Sequence, residues 1–221
     1  MSTVRHPLDR RRVVDAAISL ADHDGLDATT MRRLAERLGV TPMALYKHIG
    51  SREELIDRMV DRLIEGIPAS ETVDDWRRTL TARILMTRAV VRAHPWAQDA
   101  IETRTLASPV ILGYMDSLMA IMFAGGLSAD LVHHGMHALS TRMWGFTREV
   151  MPTPSVPEDP AALEATLAVF RSDYPAIVRM TTTAPHAGAA CDDDAEFAFA
   201  LELLLEGLER RRLAGWTSST D

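Results

Sequence analysis

TTMRRLAERLGVTPMALYKHIGSR, residues 29–52, predicts two short helices joined by a tight turn. Met31, Leu34, Ala35 and Leu38 recur at i, i+3, i+4 and i+7, one apolar stripe on a helix. Thr29 or Thr30 can cap its start by accepting from an orphan N–H. Gly39 stops it, because glycine takes the left-handed conformation that a helix exit needs. Thr41 as a cap and Pro42 at the first helical position restart a helix. From Pro42 to His48 that helix is two turns, about 11 Å long. Ser51-Arg52-Glu53-Glu54 then matches the S-x-x-E capping box and opens a further helix.

Helix, glycine turn and short helix make a helix-turn-helix arrangement. Val40 and Leu45 are expected to pack inward, leaving Met43, Ala44, Tyr46, Lys47 and His48 to project outward. An α-helix fits the major groove of B-DNA, with its first residues at base edges and its last near phosphates. By spacing alone, a plain helical hairpin with a solvated face is the alternative.

Residues 10–65 resemble the N-terminal domain of the TetR family of bacterial transcriptional regulators. The residues that carry the resemblance are Ala16-Ala17, Leu20, Gly25, Thr30, Leu34-Ala35, Leu38-Gly39-Val40, Leu45-Tyr46, His48 and Glu54-Leu55. Similarity to the tetracycline-repressor branch continues weakly beyond them. Carried over residue by residue, the resemblance implies DNA contacts from Thr30 and Arg32. It implies others from Thr41, Pro42, Met43 and Ala44 at the front of the recognition helix, and from Tyr46, Lys47, His48 and Arg52 along its back. Tyr46, Lys47 and Arg52 would hold phosphates, which position a protein without reading sequence. Met43 and Ala44 can touch thymine methyls but supply no bidentate hydrogen bonds. Base preference would then lean on Arg32, Lys47 and DNA shape.

At 221 residues the chain is long enough for one or two domains with a real core. Its 12 glycines and few β-branched runs argue for an all-α chain. The net charge of −7 speaks against DNA binding until its distribution is read. Residues 1–52 hold nine Lys and Arg against six Asp and Glu; the remainder holds 15 against 25. The local balance makes the electrostatic footprint. Arg5 and Arg10-Arg11-Arg12 are candidate phosphate contacts or a solvated helix start. Cys191 is the only cysteine, which excludes an intrachain disulfide framework and fits a reducing cytoplasm. The N-terminus carries no hydrophobic signal segment, and no 18-residue uncharged apolar run suggests a membrane span.

The first helix is expected over residues 9–24 and a fourth over 51–66. The division is therefore a three-helix DNA-binding domain, residues 1–67, followed by a larger helical domain, residues 68–221. Further helices are expected over residues 74–94, 96–105, 109–123, 128–149, 159–172, 174–182 and 194–213. The helix at 109–123 is nearly apolar all round and is expected in the interior. Loops at 151–160 and 183–194 interrupt the pattern, and residues 216–221 are expected to fray.

The resemblance implies an inducer pocket and a dimer interface in the second domain, with the fourth helix as the lever joining ligand site to DNA domain. Met86, Trp96, Met115, Met119, Met122, Met143 and Trp144 are pocket candidates, since methionine adapts to irregular partners. Core filling is the alternative for each. His133, His134 and His137 have metal-compatible spacing on a helix. No carboxylate-rich or cysteine-rich segment completes such a site, so His133 and His137 are read as polar pocket lining or a subunit contact. Tetracycline repressors hold the drug's magnesium with a histidine where this chain has Ala100, so that metal site is not carried over. No metal or cofactor is expected.

No phosphate loop, G-x-S-x-G or metal-protease signature is present, which argues against an enzyme. The expectation is a cytoplasmic, homodimeric, ligand-responsive repressor. It would bind double-stranded DNA at a pseudo-palindromic operator and be released by a small apolar inducer. The helices at 128–149 and 194–213 would form the dimer's four-helix bundle. A small-molecule binding or interaction protein with a silent DNA domain is the rival reading.

Overall fold

Asp9 begins the first helix by accepting the Arg12 amide N–H at 2.8 Å, and α1 runs Arg10–Asp24. In the computed structural model, the residues described are 7–68, 75–104, 107–146, 159–184 and 192–218. Among them every regular element is helical. After α1 come α2 (Met31–Leu38), α3 (Pro42–Tyr46), α4 (Arg52–Glu65), α5 (Trp76–Arg92), α6 (Ala97–Glu102), α7 (Pro109–Ala124) and α8 (Ala129–Leu139). A 3-10 turn, Ser140–Trp144, precedes α9 (Pro160–Asp173), α10 (Pro175–Thr183) and α11 (Asp193–Leu213).

The chain forms two compact units, Met1–Thr147 with Ala200–Asp221, and Arg148–Phe199. The first unit includes both sides of the expected boundary at residue 67. In it, Val13, Val14, Ala17, Leu20 and Ala21 of α1 are buried, as are Leu55, Met59, Val60 and Leu63 of α4. α1 packs on α4 and α2, and α2 on α3. The rest of this unit's core comes from Leu80 and Ile84 of α5, Leu118 and Met122 of α7, Leu131 and Leu139 of α8, and Leu201 of α11. In the second unit α9 packs on α10, and no residue of α9 is fully buried.

Several expectations need correction. α3 ends at Tyr46 rather than His48: the His48 N–H returns to Leu45 O at 2.8 Å, an i−3 bond that tightens the chain out of the helix. Thr41 makes no side-chain cap bond; Pro42 alone suits that start.

α7 is not enclosed on all sides among the described residues. Its buried stripe is Ile111, Tyr114, Leu118 and Met122, while Leu112 and Phe123 are exposed. An all-apolar helix does not disclose which stripe its neighbours select. α8 ends at Leu139 instead of continuing towards residue 149, of which 147–149 lie outside the described residues. Ser140 has φ +39°, and Gly145 exits the 3-10 turn at φ +82°. A Cβ on Gly145 would overlap the Arg88 backbone, so the close approach of this turn to α5 requires glycine.

The tail does not fray through Ser218. Asp130 accepts the Ser218 N–H at 2.6 Å and its hydroxyl at 2.9 Å. Trp216 lies 5.4 Å from the His134 ring and 5.9 Å under the Arg211 guanidinium. The expected loops at 151–160 and 183–194 fall largely outside the described residues.

Candidate nucleic-acid interface and the helices behind it

The α2–α3 unit is built from its buried side. Thr30 caps α2 by accepting the Arg33 N–H at 3.3 Å, and Met31, Leu34 and Ala35 face the core. Gly39 leaves the helix at φ +66°, and Val40 N–H closes the turn on Ala35 O at 3.0 Å. Leu45 and Ile49 are fully buried and seat α3; Ile49 was not singled out in the sequence because it falls just past the helix. Ser51 caps α4 by accepting the Glu54 N–H at 3.1 Å, and the Glu54 carboxylate accepts the Gly50 N–H at 2.8 Å.

The opposite side is open. Thr30, Arg32, Thr41, Pro42, Met43, Tyr46 and Lys47 are exposed, Met43 to 72%. Ala44 and His48 are half-buried. Arg32 pairs with Glu36 at 3.1 Å on the surface, an interaction weak enough to yield to another anion. Arg10 donates to His48 O at 3.1 Å and steadies the exit of α3.

Arg52 differs from the rest of the set. Its guanidinium donates to Leu26 O at 2.9 Å and Thr29 O at 3.4 Å, so it braces the α1–α2 loop. Arg33 secures the same loop, reaching Asp24 at 2.6 Å and Ala28 O at 3.3 Å. Hydrogen bonding to His23 and the Arg33 charge hold the Asp24 carboxyl below the usual carboxylate range.

Behind this surface, the candidate pocket residues divide. Met86 on α5 and Met115 and Met119 on α7 are half-buried, on helices that pack together. Met122 and Met143 are buried and Trp144 half-buried. Trp96 is buried at the α5–α6 corner and donates its indole N–H to Asp22 of α1 at 2.7 Å. His133 and His137 are exposed, their rings 4.7 Å apart on α8. Ala100 is buried.

Tyr114 organises the interior and was missed in the sequence. Its hydroxyl donates to Met143 O and shares a 2.9 Å bond with the Thr87 hydroxyl. The Trp144 ring lies 5.0 Å from the Tyr114 ring, and the Arg83 guanidinium sits 5.4 Å from its centroid. Burial pushes the phenol up to about 12. Arg88 donates to Gly145 O at 2.6 Å, tying the same turn to α5. The only advance signal was Tyr114's place three residues after Ile111 on one helix face.

A helix-turn-helix with an open second helix, carried on a larger helical body, is the arrangement of a DNA-binding regulator. Residues 13–59 match the family described as bacterial regulatory proteins, tetR family, and residues 67–212 match tetracyclin repressor-like, C-terminal domain. The chain belongs to the TetR family of DNA-binding transcriptional regulators, which are not enzymes. It is 27% identical over 207 residues to the HTH-type transcriptional repressor DrrR1 of Streptomyces coeruleorubidus, covering 90% of this chain and 76% of that protein. It is 28% identical to the class C tetracycline repressor of Escherichia coli, with 93% of each chain covered. The solved complex of the Streptomyces coelicolor TetR family protein ActR with (S)-DNPA superposes with a TM-score of 0.68 at 25% identity, covering 92% of this chain and 98% of that one. Among the described residues, no helix is long and apolar enough to cross a membrane.

Proposed function

We propose that the chain acts as a cytoplasmic homodimeric repressor, that residues 1–67 read a pseudo-palindromic operator, and that residues 68–221 bind an inducer and dimerise. The observation that carries the DNA reading is the open front of α3 on a fully packed seat: Met43, Tyr46 and Lys47 are exposed while Leu45 and Ile49 are buried. Two such helices would enter successive major grooves about 34–36 Å apart. Thr30, Arg32, Thr41, Pro42, Met43, Ala44, Tyr46, Lys47 and His48 form the proposed contact set. Arg52 is proposed to support it from behind, since two of its N–H donors hold Leu26 O and Thr29 O of the α1–α2 loop.

The inducer site is proposed among α5, α7 and the 3-10 turn, with Met86, Met115, Met119, Met122, Met143 and Trp144 as its apolar walls. The relative ActR is solved in complex with (S)-DNPA, and another relative is named a tetracycline repressor, which supports a small-molecule site. An inducer acts only if it favours the non-binding state by differential affinity. The exposed side of α8, with His133, His134 and His137, and Leu203 of α11, 52% exposed, are the proposed dimer contact.

Fluorescence anisotropy tests the reading. The labelled duplex comes from upstream of the protein's own gene, or from a random-sequence selection if that fails. Tight, salt-sensitive binding that an unrelated duplex does not compete away supports it. Equal weak binding to every duplex, including selected ones, overturns it in favour of a silent DNA domain.

A further inference from the structure

Asp22 lies near the end of α1, and one of its carboxylate oxygens accepts two hydrogen bonds from the far side of the α5–α6 corner. His94 Nδ1 is 2.7 Å away and Trp96 Nε1 is 2.7 Å away. These partners are 72 and 74 residues along the chain. The Trp96 ring is buried and lies 5.9 Å from the His94 ring, so the donor pair is held in place by packing. A carboxylate between two fixed donors is a charge-assisted contact, stronger and more directional than a neutral one.

The other end of α6 grips a different helix. Arg104, one residue past the helix cap, has a side chain only 7% exposed. It donates to Asp57 O of α4 at 3.1 Å and pairs with the Asp57 and Asp61 carboxylates, each at 3.4 Å. Ser108, the cap of α7, donates to the same Asp61 oxygen at 2.6 Å. α6 itself is six residues, about 9 Å long. Such a short helix has little freedom to move one end without the other.

We propose that Asp22 is a positioning residue: through His94 and Trp96 it ties α1 to the front of α6 while Arg104 ties α4 to its rear, so that together they hold the DNA-binding helices in one orientation against α6. The inference rests on the reading of the second domain as the ligand-binding half. It adds α1 as a second attachment beside α4. Without the Asp22 contact, α6 would hold the DNA-binding helices from one side only, and their orientation would spread. Ordering that spread on an operator costs affinity.

The experiment places spin labels on exposed sites, Asp27→Cys in the α1–α2 loop and Asp116→Cys on α7, in a Cys191→Ser background. Labelled chain is mixed with excess unlabelled chain, so that intrachain distances are read. Trp96→Phe keeps an aromatic ring and removes the donor; Asp22→Ala removes the acceptor. Both are expected to broaden the distance distribution. Both are also expected to weaken binding to a selected operator duplex roughly three- to tenfold, a part of what a charge-assisted hydrogen bond contributes. The double variant should be no worse than Asp22→Ala alone, because that change already removes the acceptor of both bonds. An unchanged distribution in both variants overturns the proposal, and so does a lowered melting temperature without broadening. If the unsubstituted protein binds no selected duplex, the DNA reading fails, while the distance measurement still decides the positioning.

Discussion

Trp76, at the start of α5, donates its indole N–H to Glu209, near the end of α11, at 3.0 Å across 133 residues of chain. Glu209 also accepts two bonds from Arg212, at 2.8 and 2.7 Å. The Arg212 hydrogen bonds, with the Trp76 N–H and the nearby arginines adding to them, hold the Glu209 carboxyl down at about 2 from an ordinary value of 4.5. A depressed folded value means stability that is complete above the unfolded value and lost as pH falls through the folded one. The Glu209 contribution is therefore expected at pH 7 and is expected to fade between about 4.5 and about 2. Urea midpoints of the unsubstituted protein and Glu209→Gln should differ at pH 7 and converge at the acid end of that window. A gap that persists undiminished at pH 2 would show that the contribution is not ionic.

Tyr114 makes the opposite prediction in pH. Burial raises its phenol to about 12, so the neutral form is the stabilising one. That stability is present below the unfolded value of 10 and is lost as pH rises towards 12. In the folded protein, one of the three tyrosines should resist ionisation at pH 11 when phenolate absorbance is followed. Tyr114→Phe removes the hydroxyl from Met143 O and Thr87, and is expected to cost about 1–2 kcal/mol at neutral pH.

Two glycines in left-handed conformations should respond differently to the same change. Gly39→Ala, at φ +66° with open space around its Cβ position, is expected to cost about 1 kcal/mol from backbone strain alone. Gly145→Ala, at φ +82°, adds overlap with the Arg88 backbone, and its cost should be about 3 kcal/mol or more. Thermal denaturation of the two variants side by side measures the difference. Equal losses would mean that the 3-10 turn can retreat from α5.

Lys47 and Arg52 are both basic and both near α3, but their side chains do different work. Lys47→Ala should weaken operator binding and flatten its salt dependence, by about 0.9 in log–log slope for each phosphate no longer neutralised. Arg52→Ala should leave that slope unchanged and lower stability by about 1 kcal/mol, since it takes a donor from Thr29 O and leaves Leu26 O with the Thr29 N–H alone. A reduced slope for Arg52→Ala would place its guanidinium on DNA after all.

Met43 is the most exposed large apolar side chain among the described residues, at 72%, and it stands at the front of α3. Met43→Ala and Arg32→Ala are expected to change which operator variants are preferred, Met43 through thymine methyls and Arg32 through guanine or phosphate. Binding-site selection with each variant checks this. If both return the original preference, specificity lies in DNA shape or in other side chains.

The helices themselves were legible in the sequence because the signals for them are local. The stripe Met31, Leu34 and Ala35, the stop at Gly39, the Ser51 cap and the Pro42 start act within a few residues, and the structure follows them closely. The family resemblance rests on the same short range, as does the open front of α3. What joins one helix to another was not legible. Asp22 with Trp96, Arg104 with Asp61, Trp76 with Glu209 and Tyr114 with Met143 are pairs 29 to 133 residues apart, and no periodicity ties their members together. The same holds for α7, whose uniform apolar composition left its buried stripe to be chosen by α4, α5 and α8. It holds too for Arg52, whose bonds to two carbonyls of the α1–α2 loop no local pattern announced. Local propensity and capping act along the chain and can be read from it. The partner of a buried polar group is set by which backbones come within about 3 Å once the core has packed, and only the tertiary structure decides that.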